Sequence, residues 1–488
     1  MKFWDSIIDT AMIGTSRRQP DTGLFPTDLA AHFKDQNETK DQEELFLQLA
    51  AFASSYRKSG ILPPKQEINF SPAATEENKY CPSEATSVLR DILSEEKKSL
   101  LAYWLKNCHR SNQIVKPDLV PVLLELGTKH PRLKSVIAAC CGKRGVWLAA
   151  LNPEWQYSQN QSDEEIWDTG TPEQRRDLLT EKRSIEPDKA REMLQQIWQQ
   201  EDANQKMIFL EILHKNIGDN DTAFLESLLN EKSKKVKESG LQLLKRIPTS
   251  AVVQSFENAL ASAVQLKKEK RLVFTKTSLH YQLPDSIHDK IYQLGIDKLS
   301  NIKDLSDEQF VIIQLTELVP VSFWEKHLAM GPPEIIDLMQ KDELGKKLLP
   351  PLVKAITRFH DSKWAEHFTK HSSVFFIDLI PLLNSEEQER HTIRHFDEFP
   401  ESMIMHQISR ETEWSLPVAR KIIRHTAANP HQFTRDFFSR NIAMIPTALS
   451  GELSGFDPKD VMQLGQWTRN RDYLSQLLKL KAQTNKAF

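Results

Sequence analysis

Two pairs of histidines, His367 with His371 and His391 with His395, stand four residues apart. That spacing puts both imidazoles on one helical face, as a zinc site requires. A site also needs a further ligand. The nearest carboxylates, Glu386, Glu387 and Glu389, fall in the solvated first turn of the second pair's helix. With 15 His in the chain, such pairs arise by chance. No metal and no other cofactor is therefore expected. A second constellation is basic: Lys232, Lys234, Lys235, Lys237, Lys245 and Arg246, followed by Lys267, Lys268, Lys270, Arg271 and Lys276. A basic groove could meet phosphates, as in HEAT-like DNA glycosylases. Glu231, Glu238 and Glu269 dilute the charge, and no aromatic residues interleave to stack bases. The favoured reading is a solvated basic surface, with nucleic-acid binding or base excision as the rival.

Cys140 and Cys141 adjoin in an apolar stretch; with Cys81 and Cys108 they make no CxxC pair. Adjacent thiols point to different sides of a helix, which favours a buried structural role over redox chemistry. Asp168 and Glu173 are paired only in sequence, and a solvated loop explains them. The chain has no GxSxG, GxxxxGK[ST], GxGxxG or kinase signature.

The elements that carry these residues read as helices. Residues 3–12 put Phe3, Ile7, Ile8, Ala11 and Met12 on one face, with Gly14 as the stop. Asp41 is placed to cap a helix bearing Leu45, Leu49, Ala53 and Tyr56, stopped by Gly60. Thr171 with Gln174, Ser306 with Gln309 and Ser385 with Gln388 have capping-box spacing. Pro172 and Pro187 suit first helical positions, and Asp457–Pro458 is a start signal. Asp221 reads as the cap of a short helix with Phe224, Leu225 and Leu228. A polar turn then leads to a second helix with Val236, Gly240, Leu243 and Leu244. Two short amphipathic helices of this kind make one HEAT-like unit, which needs neighbours to bury its apolar face. Gly240 costs about 1 kcal/mol there relative to Ala, so a close helix approach is expected. The strongest strand-like stretch, Leu272–Phe274, is too short to imply a sheet. The tryptophans at 147, 155, 167, 198, 324, 364, 414 and 467 sit at apolar positions that suit core packing.

Composition sets the frame. The chain has 488 residues, 64 Lys plus Arg against 67 Asp plus Glu, and a net charge of −3. Hydrophobic residues make 39% and charged residues 27%, a globular mixture. With only 15 Gly, turn-dense β architecture and Gly-rich phosphate loops are disfavoured. No apolar run spans a bilayer, and Asp5 and Asp9 interrupt the first apolar stretch where a secretory signal would be unbroken. A reduced, cytoplasmic protein without membrane contact is expected.

The stretches MIGTSRR (12–18), GKRGVWLAALNPEW (142–155), DTGTPEQRRDLL (168–179), PDKAREMLQQIW (187–198) and FLESLLNEKSKKVKESGLQLLKRIPTSA (224–251) carry a resemblance. They resemble a bacterial family of unknown function with HEAT-like helical repeats. The likeness is clear over the first half and holds in helical texture over the second. Members are often encoded beside MoxR-type AAA+ ATPases, von Willebrand A domain proteins and SWIM zinc-finger proteins. The resemblance thus implies a scaffold or adaptor beside an ATPase, and it brings no catalytic residues.

The expected fold is all-α, an α-α superhelix of HEAT-like repeats. The expected organisation is an N-terminal helical segment (1–60), a linker or long loop (61–83), a helical region (84–160), HEAT-like pairs (161–265) and a C-terminal helical repeat region (266–488). The expected role is non-enzymatic binding of a protein partner, an AAA+ ATPase or a von Willebrand A protein. The candidate surface is Lys232, Lys234, Lys235, Lys237, Lys245 and Arg246.

Overall fold

In the computed structural model the described residues are 2–25, 27, 30–31, 41–59, 71–94, 98–158, 162–270, 275–284 and 290–488. Gly60, residues 61–70, Arg271 and the stretch Leu272–Phe274 lie outside them. The fold is all-α, with 73% of the chain helical. Two compact units appear, Met1–Pro72 and Ala73–Phe488.

In the first unit, helices Lys2–Ile13 and Gln42–Ser59 close a small core of Phe3, Ile7, Phe25, Leu45, Leu49 and Ala53. Gly14 ends the first helix at φ +97°, a conformation L side chains avoid. Asp41 precedes the second helix, and its carbonyl accepts from Leu45 N at 3.0 Å.

The second unit holds two cores. One runs from Trp167 to Leu383 through successive helices. Its capping boxes form where expected, at Thr171 with Gln174 and Ser306 with Gln309. The pair 224–247 is built as its pattern predicts: Phe224, Leu228, Val236, Leu243 and Leu244 are all buried. A Cβ on Gly240 would stand 3.2 Å from Leu228 Cβ, so the helix crossing is as close as the glycine implied. Polar bridges tie neighbouring helices. Trp198 Nε1 donates to Glu231 at 2.7 Å, and Lys206 pairs with that carboxylate at 3.0 Å. Trp364 Nε1 donates to Glu325 at 2.8 Å, which also takes Lys363 at 3.1 Å.

The other core joins distant sequence. Helices Ser83–Ser94 and Lys98–Arg110 pack against the last helix, Val461–Ala487. The ring of Trp104 meets that of Phe488 edge-on at 5.1 Å, and Tyr103 Oη donates to Asn485 at 2.6 Å. Lys481 is buried on this seam, holding Glu413 at 2.7 Å and the carbonyls of Ala443 and Ile445.

Three local expectations are corrected. The chain has a β-hairpin, Val264–Lys270 with Thr275–Tyr281, antiparallel and in register from Val264↔Tyr281 to Lys270↔Thr275. Val264 and Leu279 are its buried anchors. Charged and polar residues occupy most of its remaining positions, which hid the alternation. Asn384, not Ser385, caps the helix Ser385–His395. The final helix starts after Asp460, which accepts from Met462 N, rather than at Asp457. Among the described residues no helix is long and apolar enough to cross a membrane.

Candidate functional site

The structure disperses the basic cluster. Lys232, Lys234 and Lys235 are exposed and Lys237 is partly buried. Lys234 reaches Glu238 at 3.7 Å, one turn along its helix. Lys245 is not on a surface: it is 3% exposed, with Nζ 5.9 Å from the centre of the Phe256 ring. It is the C-terminal cap of helix Lys234–Leu244, one residue past buried Leu244, where the chain turns into the core instead of following the exposed helix face. Lys267 is exposed on the hairpin strand Val264–Lys270.

Arg246 faces a groove of about 850 Å³. Helix Ala203–Leu213 supplies the apolar wall, with Met207, Ile208 and Leu210. Helix Lys234–Leu244 supplies Leu243 and the polar Ser239 and Gln242. His214 and Arg246 each follow the end of one of these helices, and Arg358 arrives from the last turn of Glu343–Arg358. The groove thus has an apolar wall and a cationic end, with Glu211 at its exposed rim.

Electrostatic strain concentrates at that end. Arg358 Nη2 pairs with Glu317 at 3.3 Å, but that carboxylate is shared with Lys354 at 3.0 Å. Arg358 Nε is buried without a partner. Arg246 has no ion-pair partner among the described residues; burial and then Arg358 hold its guanidinium below the ordinary range. Burial and then Arg358 also push Lys245 down, opposed by Asp297. Burial, then Arg246 and His360, lower His214. Three cations thus crowd together with one shared carboxylate in direct contact.

Each histidine pair lies on one helix face, as its spacing predicts. The His391 and His395 rings stack with Phe375, whose centroid is 3.7 Å from that of His395. The His367 and His371 rings lie 6.1 Å apart. Among the described residues no group of three or more His, Cys, Asp or Glu could hold a metal ion. Asp168 and Glu173 are exposed.

Two features escaped the sequence reading. Cys81, Cys108 and Cys140 converge in the second core: Cys81 Sγ is 3.4 Å from Cys108 Sγ, and Cys140 Sγ donates to Leu105 O. The neighbouring Cys140 and Cys81 thiols, with burial, hold the Cys108 thiol far up. Burial first does the same for Cys141. The other feature is at Gly142, where φ +59° and ψ −158° break the helix Lys134–Leu151. Glu76 enters the break and accepts from Lys143 N at 3.0 Å and Arg144 N at 2.8 Å. The protein's own carboxylate thus caps the second half of the helix. A Cβ at Gly142 would stand 2.6 Å from Glu76 Oε2, so the quoted GKRG stretch has a packing reason for its first glycine.

A family model described as a family of unknown function, DUF5691, matches residues 6–488. The match continues through the half of the chain where only helical texture pointed to it. No curated protein and no solved structure matches the chain.

Proposed function

The chain belongs to DUF5691, and on that premise we propose that it is a non-enzymatic helical scaffold or adaptor that binds a protein partner. The helix pairs between Pro172 and His371 are read as HEAT-like repeats stacked into a superhelix, whose concave surface serves as the binding surface. The observation that supports this most is the single core running from Trp167 to Leu383 through successive helices. Each pair leaves an apolar face that its neighbour covers, and bridges such as Trp198–Glu231–Lys206 and Trp364–Glu325–Lys363 lock the junctions. A stack held in this way presents side chains in fixed array without needing chemistry of its own. The resemblance directs the choice of partner to a MoxR-type AAA+ ATPase or a von Willebrand A domain protein, in the cytoplasm. Size-exclusion chromatography with light scattering, on the purified chain mixed with each of these two kinds of protein, tests the reading. Co-elution with either as a defined complex is expected. Separate elution from both at micromolar concentration overturns it.

A further inference from the structure

The cationic end of the groove between helices Ala203–Leu213 and Lys234–Leu244 holds more positive charge than its one carboxylate contact, Glu317, answers. The most deeply buried arginine described is saturated. Arg183 spends its guanidinium on Asp221 and four carbonyls. Arg246 is the opposite case. It is partly buried, unpaired among the described residues, and set beside Arg358, whose Nε is also without a partner. Lys245, 97% removed from solvent by its 3% exposure, adds a third positive charge behind them. Holding like charges together costs free energy unless an anion joins them. Glu317 answers part of that charge but is already divided between Arg358 and Lys354. Asp297 lies on the Lys245 side and Glu211 on the exposed rim, so neither closes the pair of guanidiniums.

We propose that this groove is an oxyanion-binding site in which Arg246 and Arg358 grip a phosphate or carboxylate group of a ligand. Guanidinium forks match either group bidentately. His214 stands at the same end as a further donor, and Met207, Ile208 and Leu243 give the ligand's carbon skeleton an apolar wall to lie on. The site takes an anionic head with an apolar body, rather than a long polyanion, because the basic residues outside the groove are dispersed. The inference stands apart from the adaptor reading and survives its failure, since it concerns a ligand group and not the partner that carries it.

The test is isothermal titration calorimetry of the full chain at fixed ionic strength, with chloride as the matched control. One arm uses phenyl phosphate and the other 4-phenylbutyrate, each an anionic head on an apolar body. Saturable binding in at least one arm is expected, and the arm that responds separates the phosphate source from the carboxylate source. Arg246→Gln should weaken binding about tenfold or more, the scale of losing a charged hydrogen-bond partner. Its thermal midpoint without ligand should equal or exceed that of wild type, because one of three crowded charges is gone. Gln242→Glu, an exposed change in the groove, should weaken binding similarly and covers the case in which Arg246→Gln fails to fold. Lys235→Gln, exposed and outside the groove lining, should bind as wild type. No saturable binding in either arm, or binding that neither groove variant weakens, overturns the proposal.

Discussion

Arg183 holds more of the fold together than any other charged side chain described, and replacing it by Met tests why. Its side chain is 1% exposed and pairs with Asp221 at 2.5 Å. Its guanidinium also donates to Lys215 O at 2.7 Å, Pro187 O at 2.9 Å, and Leu213 O and Asn216 O at 3.1 Å each. One residue thus closes helix Pro172–Ile185, the start of Pro187–Ile197 and the turn after Ala203–Leu213. Arg183→Met keeps the aliphatic volume but strands Asp221 and four carbonyls. Breaking a buried ion pair from one side costs about 3–5 kcal/mol. Arg191, 3.5 Å from Asp221, and the Gly218 N–H at 3.0 Å still serve that carboxylate, which places the cost towards the lower end. Urea unfolding followed by tryptophan fluorescence reads it, since Trp167 and Trp198 lie in the same core. A double-mutant cycle with Asp221→Asn should give a coupling of about 1–3 kcal/mol, as for residues in one network. A loss under about 0.5 kcal/mol for Arg183→Met, the scale of an ordinary surface change, would refute the reasoning.

Other expectations are narrower. Leu243→Ala, at a residue only 5% exposed, should cost about 2–5 kcal/mol and loosen the neighbouring helices, and an unchanged melt would show the buried face is misassigned. Gly142→Ala places an L side chain at φ +59° against Glu76 and should cost about 1–3 kcal/mol, with a wild-type melting curve as the contrary result. Burial and then Arg410 hold His406 below its ordinary 6.5, so the unfolded chain binds the proton more readily. Its contribution to stability is therefore complete above pH 6.5 and is lost progressively as pH falls from there through the lower folded value. Thermal melts should show His406→Leu flattening the decline between about pH 7 and 5, and an identical slope would contradict it. Duplex DNA should bind no tighter than ~10 µM at physiological salt, short of specific recognition. Sub-micromolar binding lost when Lys234, Lys235 and Lys237 all become Glu would promote the nucleic-acid reading.

The helical class was legible because its signals are local. Thr171–Gln174, Ser306–Gln309, Pro172 and Pro187 act within one turn, and the buried set of Phe224, Leu228, Val236, Leu243 and Leu244 follows from period alone. The hairpin at 264–281 was not legible, because lysines and threonines fill the positions between its few apolar anchors. Asp221 stands at the N-cap of Thr222–Ser227 as its place before the helix suggests, but its carboxylate makes no cap bond there. Its actual partner, Arg183, lies 38 residues away, beyond any local pattern. The same limit hid the seam between Trp104 and Phe488, and the approach of Glu76 to Gly142. Of the candidate site, the sequence marked Arg246 but grouped it with lysines that face elsewhere. It could not supply His214 and Arg358, because the groove is formed by three helices that meet only in the folded chain.

The most direct measurement of the proposed adaptor role is a calorimetric titration of the full chain with a MoxR-type AAA+ ATPase and, separately, with a von Willebrand A domain protein. A saturable isotherm with one of them, at a dissociation constant of about 1 µM or tighter, is the predicted result. Flat titrations with both, at concentrations where each protein is folded, would contradict it.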